Sequence, residues 1–118
     1  MSFLHALQQR AHSGFMPVIA DLKCQSPKEG NLLRGRDPFE LAKTLVSAGA
    51  PALSVVTERE HFGGSVEMLA HIAAACAVPV LRKDFIRTKA EIRESAQAGA
   101  SAVLLIAAML SQIGRAHV

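Results

Sequence analysis

Hydrophobic and polar positions alternate along this chain in a pattern that predicts four strands separated by three helices. Short apolar segments, partly β-branched, predict the strands at residues 17–23, 52–57, 79–85 and 101–107. Apolar residues at helical spacing predict a helix after each of the first three strands and a leading helix over 3–11. Strands that alternate with helices are typical of βαβ units, so we expect an α/β fold with a parallel sheet.

Residues that cap helices mark the predicted start of each helix between strands. Asp37 is a favoured N-cap, and it precedes Pro38, which is tolerated at the first helical position. Ser65 is the predicted cap of the second helix. Thr88, with Glu91 at the capping-box spacing, is the predicted cap of the third. These positions place the helix starts independently of the hydrophobic pattern.

The sequence of the predicted loops and the length of the chain limit which α/β architecture it can form. Residues 25–36 are predicted to be a turn-rich loop, and residues 101–107 are apolar enough for a parallel strand buried on both faces. A dinucleotide-binding open sheet would show GxGxxG after its first strand, and residues 24–37 lack that motif. A complete (β/α)8 barrel takes about 250 residues. A chain of 118 residues would supply about half of one.

Composition excludes several classes of protein. Half of the residues are hydrophobic, which excludes a disordered chain. The net charge is only +3, the basic residues are interleaved with acidic ones, and the chain has no Trp or Tyr. We therefore expect no nucleic-acid partner. The longest apolar run, 102–110, is too short to cross a membrane, and the N-terminus shows no signal peptide. Cys24 and Cys76 are far apart, and the histidines lack zinc-ligand spacing. We therefore expect reduced thiols, a cytoplasmic location and no metal.

Charged residues near the ends of two predicted strands indicate a binding site for an anion. Side chains alternate along a strand, so Asp21 and Lys23 share a face of the first strand, while Lys83 and Phe85 share a face of the third. Parallel α/β folds bind ligands at the carboxyl ends of their strands. We interpret the lysines as an anionic-substrate pocket in which one lysine donates a proton and Asp21 partners a lysine. The alternative places both lysines just past the sheet, in water.

Other residues near these strand ends are weaker candidates for the binding site. Arg82 and Asp84 fall on the opposite face of the third strand, toward the helices, and are predicted to form a structural pair. Ser26 precedes a proline in a predicted turn, where its hydroxyl is available to an anion. Phe62 and Phe85 form either an apolar wall for an aromatic ring or part of the ordinary packing.

Four separate segments, in their order and spacing, resemble indole-3-glycerol phosphate synthase of tryptophan biosynthesis. They are VIADLKCQSPKEG, ALSVVTEREHFGGS, PVLRKDF and AGASAVLLIAAML. The resemblance covers most of residues 3–110 and implies the first four strands of a TIM (β/α)8 barrel. It implies a lyase that closes the indole ring of 1-(2-carboxyphenylamino)-1-deoxyribulose 5-phosphate with loss of carbon dioxide and water. No cofactor and no metal are implied.

The same resemblance implies roles for individual residues. Lys83 would be the general acid, and Lys23 would bind the anionic groups of the phosphorylated substrate. Ser26 would help line the site, and Asp21 stands where the family usually has Glu. Three apolar residues match positions around the anthranilate ring, namely Phe62, Phe85 and Leu104.

The match to the family ends after the fourth predicted strand. We expect residues 1–110 to be the N-terminal half of a barrel, and residues 111–118 to be a non-family, artefactual tail from a truncated or chimeric reading frame. The family's second proton-transfer carboxylate and main phosphate-binding loops belong to later strands. We therefore expect this fragment to be inactive alone and to self-associate through its open sheet edges.

Two alternatives remain open at this point. The first is another phosphate-binding barrel enzyme, such as a sugar-phosphate isomerase. The second is a non-catalytic half-barrel that binds phosphorylated metabolites.

Overall fold

A parallel four-stranded sheet organises the chain. The computed structural model describes residues 2–109. The helices are α1 (Phe3–His12), α2 (Pro38–Ser47), α3 (Val66–Ala75) and α4 (Lys89–Gln97), and a 3-10 helix covers Ala107–Met109. The strands are β1 (Ile19–Leu22), β2 (Gln25–Ser26), β3 (Gly30–Asn31), β4 (Ala52–Val56), β5 (Val80–Lys83) and β6 (Ala102–Val103). The main sheet has the order β1-β4-β5-β6 with parallel neighbours, and β2 and β3 form a separate antiparallel hairpin.

The strand register divides the main sheet into two faces. Asp21 lies opposite Ser54, and Ser54 lies opposite Leu81, so these three residues share one face. The other face packs against α2 and α3. Its core residues are Leu22, Ala42, Leu53, Val55, Leu69, Ile72 and Val80. Complete burial of one Leu or Ile side chain contributes about 1.5–3 kcal/mol, so this layer fixes the sheet against the helices.

The three predicted helix starts are confirmed by their hydrogen bonds. The side chain of Asp37 accepts from the amide of Phe39, the second residue of α2, at 2.8 Å. Ser65 Oγ accepts from the Met68 amide at 3.1 Å. Thr88 and Glu91 form the full capping box, because each side chain accepts a hydrogen bond from the other residue's amide. Local chemistry therefore sets where these helices begin.

Residues 25–36 contain the β2–β3 hairpin, which the turn-rich prediction does not include. Ser26 pairs with Gly30, whose φ of +70° is a conformation that favours glycine. The Leu32 amide closes the hairpin base by donating to the Cys24 carbonyl at 2.9 Å. A ladder with two residues in each strand is too short to show the alternation that predicts a strand.

The strand predicted over 101–107 is wrong in its length and in its burial. Regular pairing is confined to β6, and Leu104 and Leu105 beyond it are 38% and 39% exposed. Within residues 2–109, β6 pairs with β5 on one side and with no strand on the other. An edge strand has one neighbour, so it cannot reach the burial that a central parallel strand has.

The predicted α/β fold with a parallel sheet is confirmed. The first three predicted strands are present, each shorter than predicted by one to three residues. Parallel β/α units with a four-stranded parallel sheet are consistent with half of a TIM barrel. No helix within residues 2–109 is long and apolar enough to cross a membrane. The predicted tail at 111–118 lies outside the described residues, so its assignment stays a prediction.

Candidate active site at the carboxyl ends of the strands

The strand register brings the predicted charged residues to one end of one face. Lys83 is the last residue of β5, and Lys23 directly follows β1. Lys83 lies opposite Val56, and Asp21 lies opposite Ser54, two residues earlier along β4. All of these side chains point to the face of the sheet away from the α2–α3 core. The site therefore lies where parallel α/β folds bind their ligands.

A cavity of about 180 Å³ opens at this end of the sheet. Five of the seven predicted site residues line it, namely Lys23, Phe62, Lys83, Phe85 and Leu104. Its other lining residues are Val56, Glu58, Asp84 and Ile106. Five of the nine lining residues are apolar, and the other four are two lysines and two acids. Such a cavity suits a flat apolar group that carries an anionic substituent.

The two lysines have different partners at the cavity. Lys83 Nζ lies 3.8 Å from Asp21 Oδ2, and these side chains are 44% and 34% exposed. An ion pair this exposed contributes between about 0 and 1 kcal/mol, because water screens it. Lys23 Nζ lies 5.5 Å from the centroid of the Phe62 ring, within the range of a cation–π interaction. Both ammonium groups thus remain accessible to an incoming anion.

Glu58 organises the loop that carries Phe62, a role the sequence analysis missed. Its carboxylate accepts hydrogen bonds from the His61 amide at 2.6 Å, the Phe62 amide at 3.2 Å and His61 Nδ1 at 2.9 Å. Burial acts to raise the pKa of Glu58, but these hydrogen bonds outweigh it and lower the pKa. The hydrogen bond to Glu58 raises the pKa of His61. The spacing of an acid three and four residues before His61 and Phe62 is the signal that could have revealed this loop.

Gly64 lets the same loop pack against the end of β4. A Cβ added at Gly64 would overlap the Val56 carbonyl oxygen and lie 2.8 Å from Thr57 Cα. Only glycine therefore fits this close approach between two backbones.

Two of the predicted site residues do not line the cavity, namely Asp21, which pairs with Lys83, and Ser26. The Ser26 hydroxyl accepts a hydrogen bond from the Glu29 amide at 2.9 Å, inside the turn of the β2–β3 hairpin. The hydroxyl serves as an acceptor in this turn, and its role as an anion contact stays a prediction.

Arg82 and Asp84 form the structural pair that the sequence predicted. Arg82 is 4% exposed, and its Nη2 lies 3.4 Å from Asp84 Oδ2. Arg82 Nη1 also lies 2.8 Å from Glu94 Oε1, which joins β5 to α4. Asp84 belongs to the cavity lining as well, so the pair lies directly behind the candidate site.

One group of side chains within residues 2–109 has a spacing compatible with metal ligands. Glu58, Glu60 and His61 bring one ligand atom each to within 4.8 Å of one another. A closed zinc site takes four ligands, and the Glu58 oxygens already accept hydrogen bonds from His61 and Phe62. Glu58 and His61 therefore already serve to hold the loop together.

The fold and the site together define a class. Parallel β/α units, with paired lysines and an apolar wall at the strand ends, are typical of barrel enzymes that bind small anionic substrates.

Comparison with known proteins identifies the family within this class. The sequence model of "Indole-3-glycerol phosphate synthase" matches residues 1–116. The chain is 48% identical over 95 residues to the indole-3-glycerol phosphate synthase of Thermococcus kodakarensis, covering 80% of this chain and 42% of that protein. It is 46% identical over 111 residues to the synthase of Koribacter versatilis, covering 94% of this chain and 42% of that protein. The chain belongs to the indole-3-glycerol phosphate synthase family.

The comparisons confirm the resemblance and favour it over the sugar-phosphate isomerase alternative. The chain spans about two fifths of the length of the curated relatives it matches. The family match reaches residue 116 and thus includes part of the segment 111–118, which the sequence analysis assigns to a non-family tail.

Proposed function

We propose that this chain supplies the amino-terminal part of the active site of an indole-3-glycerol phosphate synthase. The enzyme would close the indole ring of 1-(2-carboxyphenylamino)-1-deoxyribulose 5-phosphate in tryptophan biosynthesis. The observation that carries the proposal is that Lys23 and Lys83 line one cavity together with Phe62, Phe85 and Leu104. Two cations beside an apolar wall match a substrate that joins an aromatic ring to anionic groups.

Lys83 is the proposed general acid. The aryl carbon that bears the carboxylate attacks the ribulose carbonyl carbon, and the carbonyl oxygen takes a proton from Lys83 Nζ as the carbon–carbon bond forms. Carbon dioxide then leaves, which restores the aromatic ring. The new hydroxyl takes up a proton and departs as water, while the neighbouring methylene carbon loses a proton and the carbon–carbon double bond of the new ring forms. The position of Lys83 at the end of β5, half exposed in the cavity, supports this role.

Lys23 is the proposed binding group for the anionic part of the substrate. Its Nζ lies over the Phe62 ring, so one side chain can contact both the aromatic wall and a carboxylate or phosphate. Asp21 holds Lys83 in the free protein at 3.8 Å, and we propose that it keeps the ammonium group oriented until substrate binds. Ser26 stays a proposed substrate contact, because its hydroxyl accepts from the Glu29 amide and can still donate its own proton to an anion.

The size of the cavity limits how much of the substrate these residues can contact. Pockets for small molecules usually have volumes of about 300–1,000 Å³. The cavity of about 180 Å³ accommodates the anthranilate ring and the groups next to it. The sugar phosphate would extend beyond it, toward the part of the barrel that the family forms from later strands. We therefore propose that these 118 residues are inactive by themselves.

Two further proposals concern the state of the chain. We propose a cytoplasmic location, supported by the free thiols of Cys24 and Cys76. We also propose that the chain self-associates, because β1 and β6 each have one strand neighbour within the described residues.

Calorimetric titration of the chain with indole-3-glycerol phosphate tests the proposed site. We expect weak binding to the wild type, and a loss of about tenfold or more in affinity for Lys23→Met, since a charged contact contributes about 1.5–3 kcal/mol. Lys43→Met is the matched control, because Lys43 is exposed on α2 and pairs with Glu40 away from the cavity. Equal affinity of the Lys23→Met and Lys43→Met variants would contradict the proposal, and so would no binding to the wild type.

A further inference from the structure

Arg82 is a buried charge that the proposed reaction does not use. Its side chain is 5% exposed on the helix-facing side of β5, and the next residue along the strand is Lys83. Burying a guanidinium group costs several kcal/mol unless its partners compensate for the lost water. The hydrogen-bond partners of Arg82 therefore indicate what role this buried charge has.

Arg82 makes two sets of contacts, and one of them leads to the cavity. Arg82 Nε donates to Thr57 Oγ1 at 3.0 Å, and Thr57 Oγ1 in turn donates to Asp84 Oδ2 at 2.7 Å. Arg82 Nη2 donates to the same Asp84 oxygen at 3.4 Å. The second set binds α4, through Glu94 Oε1 at 2.8 Å and Ser95 Oγ at 3.0 Å.

The first set ends on the backbone that holds Lys83. Asp84 Oδ1 accepts a hydrogen bond from the Phe85 amide at 2.7 Å. The Thr57 amide donates to the Lys83 carbonyl at 3.1 Å. The two peptide groups after the Lys83 Cα are thus each held by a partner of Arg82. Since Thr57 follows β4, these bonds also join the ends of two neighbouring strands.

We propose that Arg82 is a positioning residue for Lys83, acting through Thr57 and Asp84. The inference rests on the proposed function, because it assigns a purpose to the position of the proposed general acid. Arg82 orients the Asp84 carboxylate and the Thr57 hydroxyl, and these fix the backbone of residues 83–85. The Lys83 ammonium group then faces Asp21 and the cavity at the same time. Catalytic groups held by locked neighbours keep their geometry, and an error of about 1 Å lowers the rate strongly.

Zero-length cross-linking measures this geometry without any ligand. A water-soluble carbodiimide joins a carboxylate and an amine in direct contact, and mass spectrometry of the digested chain quantifies the Asp21–Lys83 product. The Glu40–Lys43 pair at 3.7 Å on α2 is the internal reference, because it is far from Arg82 in the fold. Thr57→Val removes the hydroxyl link at nearly constant size, whereas Thr57→Ser keeps it.

We expect Thr57→Val to lower the Asp21–Lys83 yield about threefold or more relative to the reference, and Thr57→Ser to restore it. Glu94→Gln weakens the α4 side of Arg82 alone, so it lowers the thermal midpoint and leaves the yield unchanged. If circular dichroism shows that Thr57→Val does not fold, Asp84→Asn decides the question, and the same loss is expected. An unchanged yield in the folded Thr57→Val or Asp84→Asn chain overturns the proposal, as does an equal loss in Glu94→Gln. Because no ligand is present, this outcome is independent of the titration with indole-3-glycerol phosphate.

Discussion

Lys83 Nζ lies 3.8 Å from Asp21 Oδ2, so an ion pair joins the carboxyl ends of β5 and β1 across the strand β4 that separates them. The pair lies beside a cavity that Lys23 also lines. Two lysines that are 60 residues apart in sequence therefore line one cavity at the carboxyl ends of the strands.

Substitutions at Asp21 should distinguish its effect on the orientation of Lys83 from its effect on the stability of the fold. Asp21→Asn removes the partner of Lys83, but the exposed pair contributes less than about 1 kcal/mol, so the free energy of unfolding should change by no more than that. Affinity for indole-3-glycerol phosphate should fall, because Lys83 loses its orientation. Asp21→Glu keeps the carboxylate on a side chain one methylene longer, as the family resemblance leads us to expect at this position, and its affinity should match or exceed that of the wild type. Urea unfolding and calorimetry measure the two effects, and an Asp21→Glu chain that binds as poorly as Asp21→Asn would contradict this account.

Gly64→Ala should displace the loop that carries Phe62. The new methyl group would overlap the Val56 carbonyl oxygen, and overpacking of this kind costs about 1–3 kcal/mol. Urea unfolding measures the loss. Glu60→Ala is the control in the same loop, because Glu60 is exposed, and its effect should stay within about 0.5 kcal/mol. Equal effects of the two substitutions would show that Gly64 is not constrained by packing.

The Glu58–His61 contact makes the same loop sensitive to pH. The hydrogen bond to Glu58 raises the pKa of His61, so its stabilisation is complete below the unfolded value of about 6.5 and is lost as pH rises through the folded pKa. The lowered pKa of Glu58 has the opposite sign, so its stabilisation is present above about 4.3 and is lost as pH falls through its folded pKa. The loop should be held best between these limits.

An NMR titration of the His61 ring checks this pH dependence. Glu58→Ala should lower the pKa of His61, because it removes the hydrogen bond and the charge that raise it. Glu60→Gln should lower it less, since Glu60 acts through charge alone. Identical shifts in the two variants would rule out the hydrogen bond as the main cause.

How much of this site could be predicted from sequence depends on the range of each interaction. Ser65 and Thr88 cap helices through residues three positions away, so sequence predicts both helix starts. The period-two placement of Lys83 similarly predicts the face on which it lies. The short β6 could not be predicted, because pairing with a neighbouring strand, rather than its own apolar residues, decides its length. The contact of Arg82 with Thr57 joins residues 25 apart, and only the folded sheet shows it.

Sedimentation across a wide range of concentration tests the proposed self-association. We expect the average mass to rise with concentration, because the edges of β1 and β6 and the apolar side chains beside them are exposed. Leu105→Lys places a charge beside β6 and should weaken association. Leu4→Lys changes a residue of α1 that is 64% exposed and should have no effect. A chain that stays monomeric at every concentration would exclude this proposal.

The most direct test of the central claim follows both lysines during one titration. The claim is that Lys23 and Lys83 bind the same ligand in one cavity. NMR of the lysine Cε methylene groups, assigned with Lys23→Arg and Lys83→Arg, reports each side chain as indole-3-glycerol phosphate is added. The account predicts that both resonances shift and reach half-saturation at the same ligand concentration, while Lys43 does not move. Different half-saturation concentrations, or a shift confined to one of the two lysines, would contradict it.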